Sequence, residues 1–243
     1  MPSPLQQRFL LPVGFGLEDP LFMSEEEKND RRYVNQYGLS RKHVFESVEN
    51  ILKRLDLDYI DLLQIHRFNP NTPVKVTMEA LHDIVKSGKI RYIGASSMRA
   101  HQLLGYQYTA RMHGWTEFVF MQDLYDAIYI GEEREMYPSC QKFGMGGQSF
   151  YGQPMTDSDK KINENIEEMA KTRGVSMAVI AIAYVQSKSF ISAPVLGLNS
   201  IKRVDEAIEA CEFRWSAEEV ESIDDLYVPR NIITIGQKWI ILL

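Results

Sequence analysis

The sequence has few of the features that mark a protein for a membrane, for secretion or for nucleic acid. No run approaches the 18 or so consecutive apolar residues of a membrane span. The N-terminal stretch MPSPLQQRFLLPVGFG lacks the basic start and the apolar core of about 7–15 residues that a secretory signal requires. Lys and Arg total 27 against 33 Asp and Glu, and the net charge of -6 argues against a phosphate-binding surface. We therefore expect a cytoplasmic protein that binds neither nucleic acid nor a membrane.

Cysteine is equally scarce. The two cysteines, Cys140 and Cys211, form no CxxC pair and have no histidine near them at ligand spacing. We predict structural thiols in a reducing compartment, and no metal site. The remaining composition, 44% hydrophobic and 25% charged over 243 residues, is that of an ordinary globular protein, long enough for one large domain or two small ones.

Apolar periodicity predicts several amphipathic helices in the first part of the chain. One helix begins after Ser40, whose hydroxyl is expected to accept hydrogen bonds from the first free amides. Another, at 73–89, turns Met78, Leu81 and Val85 inward and stops at Gly88. Two more are predicted over 99–113 and 132–142. The apolar stripe of the first helix comprises Val44, Val48, Ile51, Leu52 and Leu55.

Short apolar runs of strand length alternate with these helices. They lie at 59–65, 90–96 and 118–122, and RFLLPV near the N-terminus is a weaker candidate. Their spacing is close to the roughly 30 residues of a βαβ unit. We therefore expect parallel strands with helices covering both faces of the sheet.

The alternation of strands and helices is interrupted in the second part of the chain. Where the next strand is due, the sequence GMGGQSFYGQPMTDSD is rich in glycine, and we interpret 144–157 as a shortened, turn-like segment. A short strand is predicted at 193–197. Residues 14–39 are predicted to form a long loop. Residues 230–243 are predicted to form an apolar tail, which is either a strand or a segment prone to self-association. Helices are predicted over 159–174, 176–188 and 200–210, and a last one after a capping box from Ser216 to Glu219.

Polar side chains follow three of the predicted strands at the points where the strands end. His66 follows the first, Ser96 and Ser97 the second, and Gln122 the third. In a parallel α/β barrel, chemistry is located at the carboxyl ends of the strands. A lone histidine after an apolar run is also a common structural residue, so both interpretations of His66 stay open. Solvated helix faces are predicted for His43, His82, His101 and His113.

A second candidate site lies in PVLGLNSIKRVDEAI. After the strand predicted to end at Gly197, Asn199 and Ser200 precede the first amides of a helix, with Lys202 and Arg203 close by. A helix N-terminus offers unpaired amides and a partial positive charge, which suits an anion. The same Asn and Ser are equally well explained as a helix cap.

Long stretches of the chain resemble a known family. RRYVNQYGLSRKHVFESVENILKRLDLDYIDLLQIHRFNPNTPVKVTMEALHDIVKSGKIRYIGASSM is similar to the aldo-keto reductase superfamily, in its fungal aryl-alcohol dehydrogenase and versiconal hemiacetal acetate reductase branch. The resemblance covers 31–144 and 156–229. It implies a (β/α)8 TIM barrel and an NADP(H)-dependent reductase of small carbonyl compounds, or dehydrogenase of alcohols, in fungal secondary metabolism. The family uses an Asp, Tyr, Lys and His tetrad, in which Tyr is the general acid.

The resemblance also implies roles for the candidate residues. His66 occupies the position of the family histidine, which orients the substrate carbonyl. Ser96 and Ser97 fall where the family holds the nicotinamide carboxamide with Ser-Asn, so Ser97 departs from the commoner residue, and Gln122 matches a glutamine at the same ring. The segment that holds the adenosine 2′-phosphate and adenine contains Gly197, Asn199, Ser200, Arg203, Glu206 and Ala207.

The departures from the family are also expected to matter. The first two βα units, with the tetrad Asp and Tyr, have no counterpart before Met1, and the seventh strand is replaced by the glycine-rich segment. Arg8 stands where the family has its catalytic Lys, and an Arg keeps its proton. We therefore expect one domain over 1–243 with a TIM-barrel-derived α/β fold that lacks strands 1, 2 and 7.

The sequence leaves three hypotheses about the function of the chain. The first is an NADP(H)-linked oxidoreductase with slow turnover, in which His66 acts as the proton donor because an imidazole has an ordinary pKa near 6.5. The second is a non-catalytic fragment that binds cofactor or protein and self-associates through open strand edges or the tail at 232–243. The third is an imperfect gene product that folds poorly, since a barrel short of strands does not close.

Overall fold

The computed structural model describes residues 11–13, 38–150 and 156–230, and for 11–13 and 147–150 it describes the backbone alone. Within these ranges the chain divides into two compact units, with the boundary between Met121 and Gln122. The expected loop at 14–39 lies outside the described residues except for Gly38 and Leu39. The expected tail does so except for Arg230. Arg8 lies outside them as well, and the prediction of a single domain stays a prediction.

The first unit is built on parallel strands. β1 pairs with β2, Leu11 lying opposite Leu63, and β2 pairs with β3, Ile65 lying opposite Ala95. On the other side of β3, the backbone amide of Val119 donates to the carbonyl oxygen of Ile93 at 3.0 Å, just before β4 begins. The prediction of parallel strands is confirmed. The strands are β1 (Leu11–Val13), β2 (Ile60–Ile65), β3 (Ile90–Ser96) and β4 (Phe120–Leu124), the last crossing into the second unit.

The helices of this unit begin where local signals predict. The hydroxyl of Ser40 accepts a hydrogen bond from the amide of His43 at 3.3 Å, which caps the first helix. Val44, Val48 and Ile51 are buried as expected, whereas Leu55 is 45% exposed because the helix ends there and Asp56 turns the chain at φ 52°. The helices are α1 (Arg41–Leu55), α2 (Val74–Lys86) and α3 (Ala100–His113).

Gly94 allows β3 and β4 to approach closely. A Cβ atom at this position would lie 3.2 Å from the carbonyl oxygen of Phe120, tighter than an ordinary van der Waals contact. Glycine inside a strand commonly marks such an approach of two backbones. Nearby, Gln107 of α3 makes two hydrogen bonds to the backbone of Phe118, at 2.8 and 3.0 Å. These contacts hold the segment at the start of β4 against β3 and α3.

The second unit surrounds a core rich in tyrosine. Tyr125, Tyr137 and Tyr184 are each at most 1% exposed and pack with Ile162 and Ile180. The capping box predicted at Ser216 is confirmed, because its hydroxyl accepts from the amide of Glu219 at 3.2 Å. After β4 this unit contains a 3-10 helix (Gly131–Arg134), α4 (Met136–Lys142), β5 (Gly146–Phe150), α5 (Asp157–Arg173), α6 (Met177–Ser187), α7 (Ile201–Glu212) and α8 (Ala217–Asp224).

Two predictions for this unit are wrong. The segment 144–157 is not wholly turn-like, because Gly146–Phe150 form β5, which is hydrogen-bonded to β4. A strand therefore follows α4 where the glycine-rich composition indicated none. The strand predicted at 193–197 is absent, since these described residues have no regular secondary structure, and Val195 and Leu196 are 37% and 38% exposed. An apolar run of this length does not form a strand without a neighbouring strand to pair with.

Polar contacts attach Arg230 to the rest of the second unit. The carboxylate of Asp159, fully buried, accepts from the Thr156 amide at 2.6 Å and from the guanidinium of Arg230. The guanidinium of Arg134 donates to the carbonyl oxygen of Arg230 at 2.5 Å. The chain at Arg230 is thus attached to the start of α5. Among the described helices, none is long and apolar enough to cross a membrane.

Candidate functional site

His66 and Ser96 lie at adjacent strand ends in the first unit. β2 and β3 are parallel, with Ile65 opposite Ala95, and His66 and Ser96 are the next residue of each chain segment. Since parallel strands end at the same edge of a sheet, the register brings the two side chains to neighbouring positions. His66 is half-buried and Ser96 is 5% exposed. The prediction that these residues meet at one carboxyl edge agrees with this arrangement.

Ser97 completes this edge in an unusual backbone conformation. Its hydroxyl oxygen lies 3.2 Å from that of Ser96, so one hydroxyl donates to the other. Its φ of 46° places it in the left-handed region, which non-glycine residues rarely adopt and Asn tolerates better than most. The resemblance described above puts Asn here, and the backbone geometry gives a physical reason for that preference. Two hydroxyls that can each donate and accept therefore lie together at the carboxyl end of β3.

Gln122 lies on β4 in the second unit and is half-buried. The next residue, Asp123, is 3% exposed, although the sequence pattern gave no indication of a buried carboxyl group. Burial of this kind is costly for a charged group, so it is uncommon outside networks and functional sites. The prediction that Gln122 ends its strand is wrong, because β4 continues to Leu124 and Gln122 is its middle residue.

The second predicted group of residues lies along the start of α7. Ser200 caps this helix, its hydroxyl accepting from the amide of Arg203 at 3.3 Å. The cap interpretation of Ser200 is thus confirmed, and it leaves the remaining first-turn amides available for an anion. Gly197, Asn199 and Arg203 are exposed, and Glu206 and Ala207 are half-buried.

A partly buried ionic cluster in the second unit was not predicted. Lys188 donates to both carboxylate oxygens of Asp224, at 2.7 and 2.8 Å, and lies 3.9 Å from Glu133. The hydroxyl of Tyr184 donates to Asp224, and that of Tyr125 donates to Glu133. The Lys188 side chain is only 11% exposed. The cluster joins the ends of α6 and α8 to the segment after β4.

This cluster contains a tyrosine, a lysine and an aspartate, the same residue types as the family tetrad, but its electrostatics do not suit proton donation. Burial raises the pKa of Tyr184 far above its ordinary value, and the hydrogen bond to Asp224 raises it further. Burial likewise raises the pKa of Tyr125, with added repulsion from Tyr184 and Glu133. A general acid works best with a pKa near the operating pH. We therefore regard the cluster as structural.

Two further groups beside this core titrate unusually. Burial raises the pKa of Glu132 to about 7, although its hydrogen bond from Tyr129 at 3.1 Å opposes the shift. Burial also raises the pKa of the Cys140 thiol to about 12, with a contribution from the charges of Asp123 and Glu132. Cys140 thus behaves as the structural thiol expected, whereas Cys211 is exposed.

The solvated helix face predicted for His43 is wrong. It is 6% exposed on α1, and its Nε2 atom lies 3.2 Å from the hydroxyl of Ser47. His82 is half-buried, its Nδ1 atom 3.1 Å from the Thr116 hydroxyl, and His101 and His113 are exposed as predicted. Polar sequence neighbours concealed the burial of His43 because they lie on other faces of the helix. Among the described residues, no cluster of His, Cys, Asp and Glu is arranged to hold a metal ion.

Comparison with known proteins identifies the family. The Aldo/keto reductase family model matches residues 26–228, and the chain belongs to this family. It is 38% identical over 223 residues to a Schizosaccharomyces pombe protein named for aryl-alcohol dehydrogenase, a match of 81% of this chain. It is 36% identical over 251 residues to versiconal hemiacetal acetate reductase of Aspergillus parasiticus, covering 90% of this chain and 73% of that protein. The predicted branch is confirmed.

The same similarity extends to a solved structure. The crystal structure of the thermostable aldo-keto reductase Tm1743 with the inhibitor epalrestat has a TM-score of 0.70 and 29% sequence identity. The match covers 77% of this chain and 67% of that one. Together with the parallel strands, it supports a TIM-barrel-like α/β fold. The chain spans less than two thirds of the length of the S. pombe relative, 63%.

Proposed function

We propose that this chain is an NADP(H)-dependent oxidoreductase that reduces aldehydes or ketones of the aryl type, with slow turnover. The observation that carries the proposal is the strand register that brings His66 and Ser96 to one edge. Ser97 adds a second hydroxyl within 3.2 Å of the first. Family membership and the relatives named for aryl-alcohol dehydrogenase and versiconal hemiacetal acetate reductase support the reaction class.

The residues present have the chemistry that a nicotinamide dinucleotide phosphate requires. The hydroxyls of Ser96 and Ser97 and the amide of Gln122 can each donate and accept, as a carboxamide needs. The exposed guanidinium of Arg203 and the first amides of α7 suit a phosphate group. The bound cofactor would supply hydride to the substrate carbon.

We assign to His66 the role of proton donor. When a carbonyl carbon gains a hydride, its oxygen takes up a proton, and a group with a pKa near neutrality delivers it most effectively. Histidine is the residue whose ordinary pKa lies in that range. In the described part of the second unit, the tyrosines of the buried cluster are poor substitutes because burial raises their pKa values. General acid catalysis contributes about 10²–10⁴ in rate, so a single imidazole supports modest turnover.

A second candidate is a non-catalytic member that binds cofactor or protein. The observation that favours it is the commitment of Tyr125, Tyr184 and Lys188 to structural hydrogen bonds, which removes them as catalytic groups. Such a protein would bind NADPH without consuming it. Both candidates therefore bind NADPH, but only the first consumes it in a reaction.

Turnover of NADPH with a panel of aryl aldehydes tests the catalytic proposal. We expect loss of NADPH absorbance in the presence of the wild-type protein and a fall of about 10²-fold or more in His66→Ala. His101→Ala is the matched control, since His101 is exposed on α3, and it should retain the wild-type rate. Turnover that survives in His66→Ala would remove His66 from the mechanism. NADPH binding without turnover of any aldehyde would favour the second candidate.

A further inference from the structure

His82 on α2 holds the segment between α3 and β4 through a hydrogen bond that only a neutral ring can accept. The backbone amide of Thr116 donates to the Nδ1 atom of His82 at 3.1 Å. An amide N–H can only donate, so Nδ1 carries a lone pair, and the proton of the neutral ring is on Nε2. The bond joins α2 to the connection 114–119, which leads from the end of α3 into β4.

The hydroxyl of Thr116 gives the ring a second partner. Its Oγ1 atom lies 3.1 Å from the same Nδ1 atom. A hydroxyl can donate to an unprotonated ring nitrogen or accept from a protonated one. When Nδ1 takes up a proton, the hydroxyl bond can therefore reverse its direction, whereas the Thr116 amide faces another N–H and loses its acceptor. Protonation thus releases the backbone of Thr116 and leaves the two side chains in contact.

His113 beside the same tryptophan responds differently. Its ring stacks on that of Trp115, with centroids 4.4 Å apart, and its Nδ1 atom lies 2.9 Å from the carbonyl oxygen of Thr109. A carbonyl oxygen only accepts, so this Nδ1 atom already carries a proton, and charging the ring breaks no bond. The ring of His82 lies 6.3 Å from that of Trp115, beyond the range of about 6 Å in which a cation gains from an aromatic face. Of these two rings, His82 is the one whose protonation costs a hydrogen bond.

Phe118, two residues after Thr116, is held by a group that does not titrate. Its amide donates to Oε1 of Gln107 at 2.8 Å, and its carbonyl oxygen accepts from Nε2 at 3.0 Å. Gln107 is fully buried on α3, and its carboxamide is uncharged at every pH of interest. The connection therefore has a pH-dependent attachment at Thr116 next to a pH-independent one at Phe118.

Charged groups on the elements around His82 are paired with groups of opposite sign. On α2 itself, Glu79 and Lys86 lie about one turn to either side of His82 and carry opposite charges. Burial raises the pKa of Tyr106, on α3, to about 12, so this hydroxyl stays neutral. Because these charges offset one another, the hydrogen bonds of the ring dominate what a proton changes at His82. The ion pairs are Arg41–Asp83, Lys89–Glu49, Arg91–Asp61 and Arg111–Glu117.

We propose that His82 is a pH-sensitive attachment point, at which uptake of a proton by the ring releases the backbone of Thr116 from α2 and loosens the connection 114–119. Imidazole is the side chain that ordinarily changes charge between about pH 5 and pH 8. The neutral ring makes the bond, so its contribution to stability is present near pH 8 and is lost as the pH falls toward 5. The release is local because Gln107 continues to hold Phe118.

Amide hydrogen exchange followed by NMR between pH 8 and pH 5 tests this release. Each rate is divided by the intrinsic exchange rate at the same pH, which gives a protection factor for each amide. We expect the protection factor of Thr116 to fall roughly five- to tenfold toward pH 5, the factor that corresponds to the loss of one hydrogen bond. That of Phe118 should stay nearly constant. The nitrogen chemical shifts of the His82 ring should show its proton on Nε2 at pH 8.

His82→Asn separates the hydrogen bond from the titration. The Oδ1 atom of asparagine is attached to Cγ, as Nδ1 of histidine is, so it can accept from the Thr116 amide at every pH. We expect the protection factor of Thr116 in this variant to be independent of pH. His113→Asn, at the other histidine beside Trp115, is the matched control and should keep the pH dependence of wild type. Circular dichroism checks that both variants remain folded.

The comparison of Thr116 with Phe118 in the wild-type protein needs no variant. A Thr116 protection factor that stays constant from pH 8 to pH 5 would overturn the proposal, as would a ring proton on Nδ1 of His82 at pH 8. Equal losses at Thr116 and Phe118 would do the same, because they would indicate opening of the whole connection. A fall at Thr116 that persists in His82→Asn would remove His82 as its cause.

Discussion

Replacing Glu132 with Gln should make the protein more stable at neutral and alkaline pH. Glu132 lies in the 3-10 helix and is 7% exposed, and the hydroxyl of Tyr129 donates to its carboxylate at 3.1 Å. Burial raises the pKa of Glu132 to about 7, from an ordinary value near 4.5. A glutamine side chain retains an oxygen that accepts the Tyr129 hydrogen bond and carries no charge that burial would penalise.

The sign and size of the effect follow from the raised pKa. The folded state holds the proton more tightly than the unfolded chain, so ionisation of Glu132 costs nothing below about pH 4.5. The cost grows as pH rises through the interval and reaches its full value above about pH 7. A shift of one pKa unit corresponds to about 1.4 kcal/mol, so the full cost is on the order of 3 kcal/mol. Glu132→Gln should remove this loss of stability.

Urea unfolding at several pH values between 5 and 8 measures the difference. We expect the free energy of unfolding of Glu132→Gln to exceed that of wild type by an amount that increases with pH. Glu168→Gln, at an exposed position on α5, removes the same charge and should show no such increase. A difference between Glu132→Gln and wild type that stays constant with pH would refute the reasoning.

Two further substitutions probe packing and the ionic cluster. Lys188→Met should cost roughly 1–2 kcal/mol in urea unfolding, because it leaves the carboxylate of Asp224, which is 33% exposed, without its cation, and a loss under 0.5 kcal/mol would contradict the geometry. Gly94→Ala should cost about 1–3 kcal/mol, since its Cβ would lie 3.2 Å from the Phe120 carbonyl oxygen. Gly105→Ala, inside α3 where an added Cβ has no neighbour within 4 Å, should instead stabilise the protein by up to about 1 kcal/mol, and a similar gain in Gly94→Ala would refute the close approach.

Local signals explain which elements could be predicted. The caps at Ser40 and Ser216 depend on contacts three residues away, so the sequence pattern contains the information for both. β5 could not be predicted because its hydrogen bonds come from β4, which lies more than 20 residues earlier in the chain. The same dependence on a pairing partner explains the strand wrongly predicted at 193–197, which pairs with no strand among the described residues.

The candidate site also contains some features that the sequence predicts and some that it does not. The proximity of His66 and Ser96 follows from parallel strands alone, because such strands end at one edge. The left-handed backbone conformation of Ser97 could not be predicted, because serine rarely adopts it and only the tertiary structure imposes it here. The cluster around Lys188 was missed because Lys188 and Asp224 are 36 residues apart, and only the tertiary structure brings their side chains into contact.

Fluorescence titration with NADPH tests most directly whether the chain binds NADP(H), as we propose. We expect a saturable change at cofactor concentrations up to about 100 μM, within the range usual for enzyme ligands. Arg203→Ala should weaken binding of NADPH more than that of NADH, because only NADPH carries the phosphate that Arg203 is proposed to hold. A wild-type protein that gives no fluorescence change at these concentrations would contradict the account.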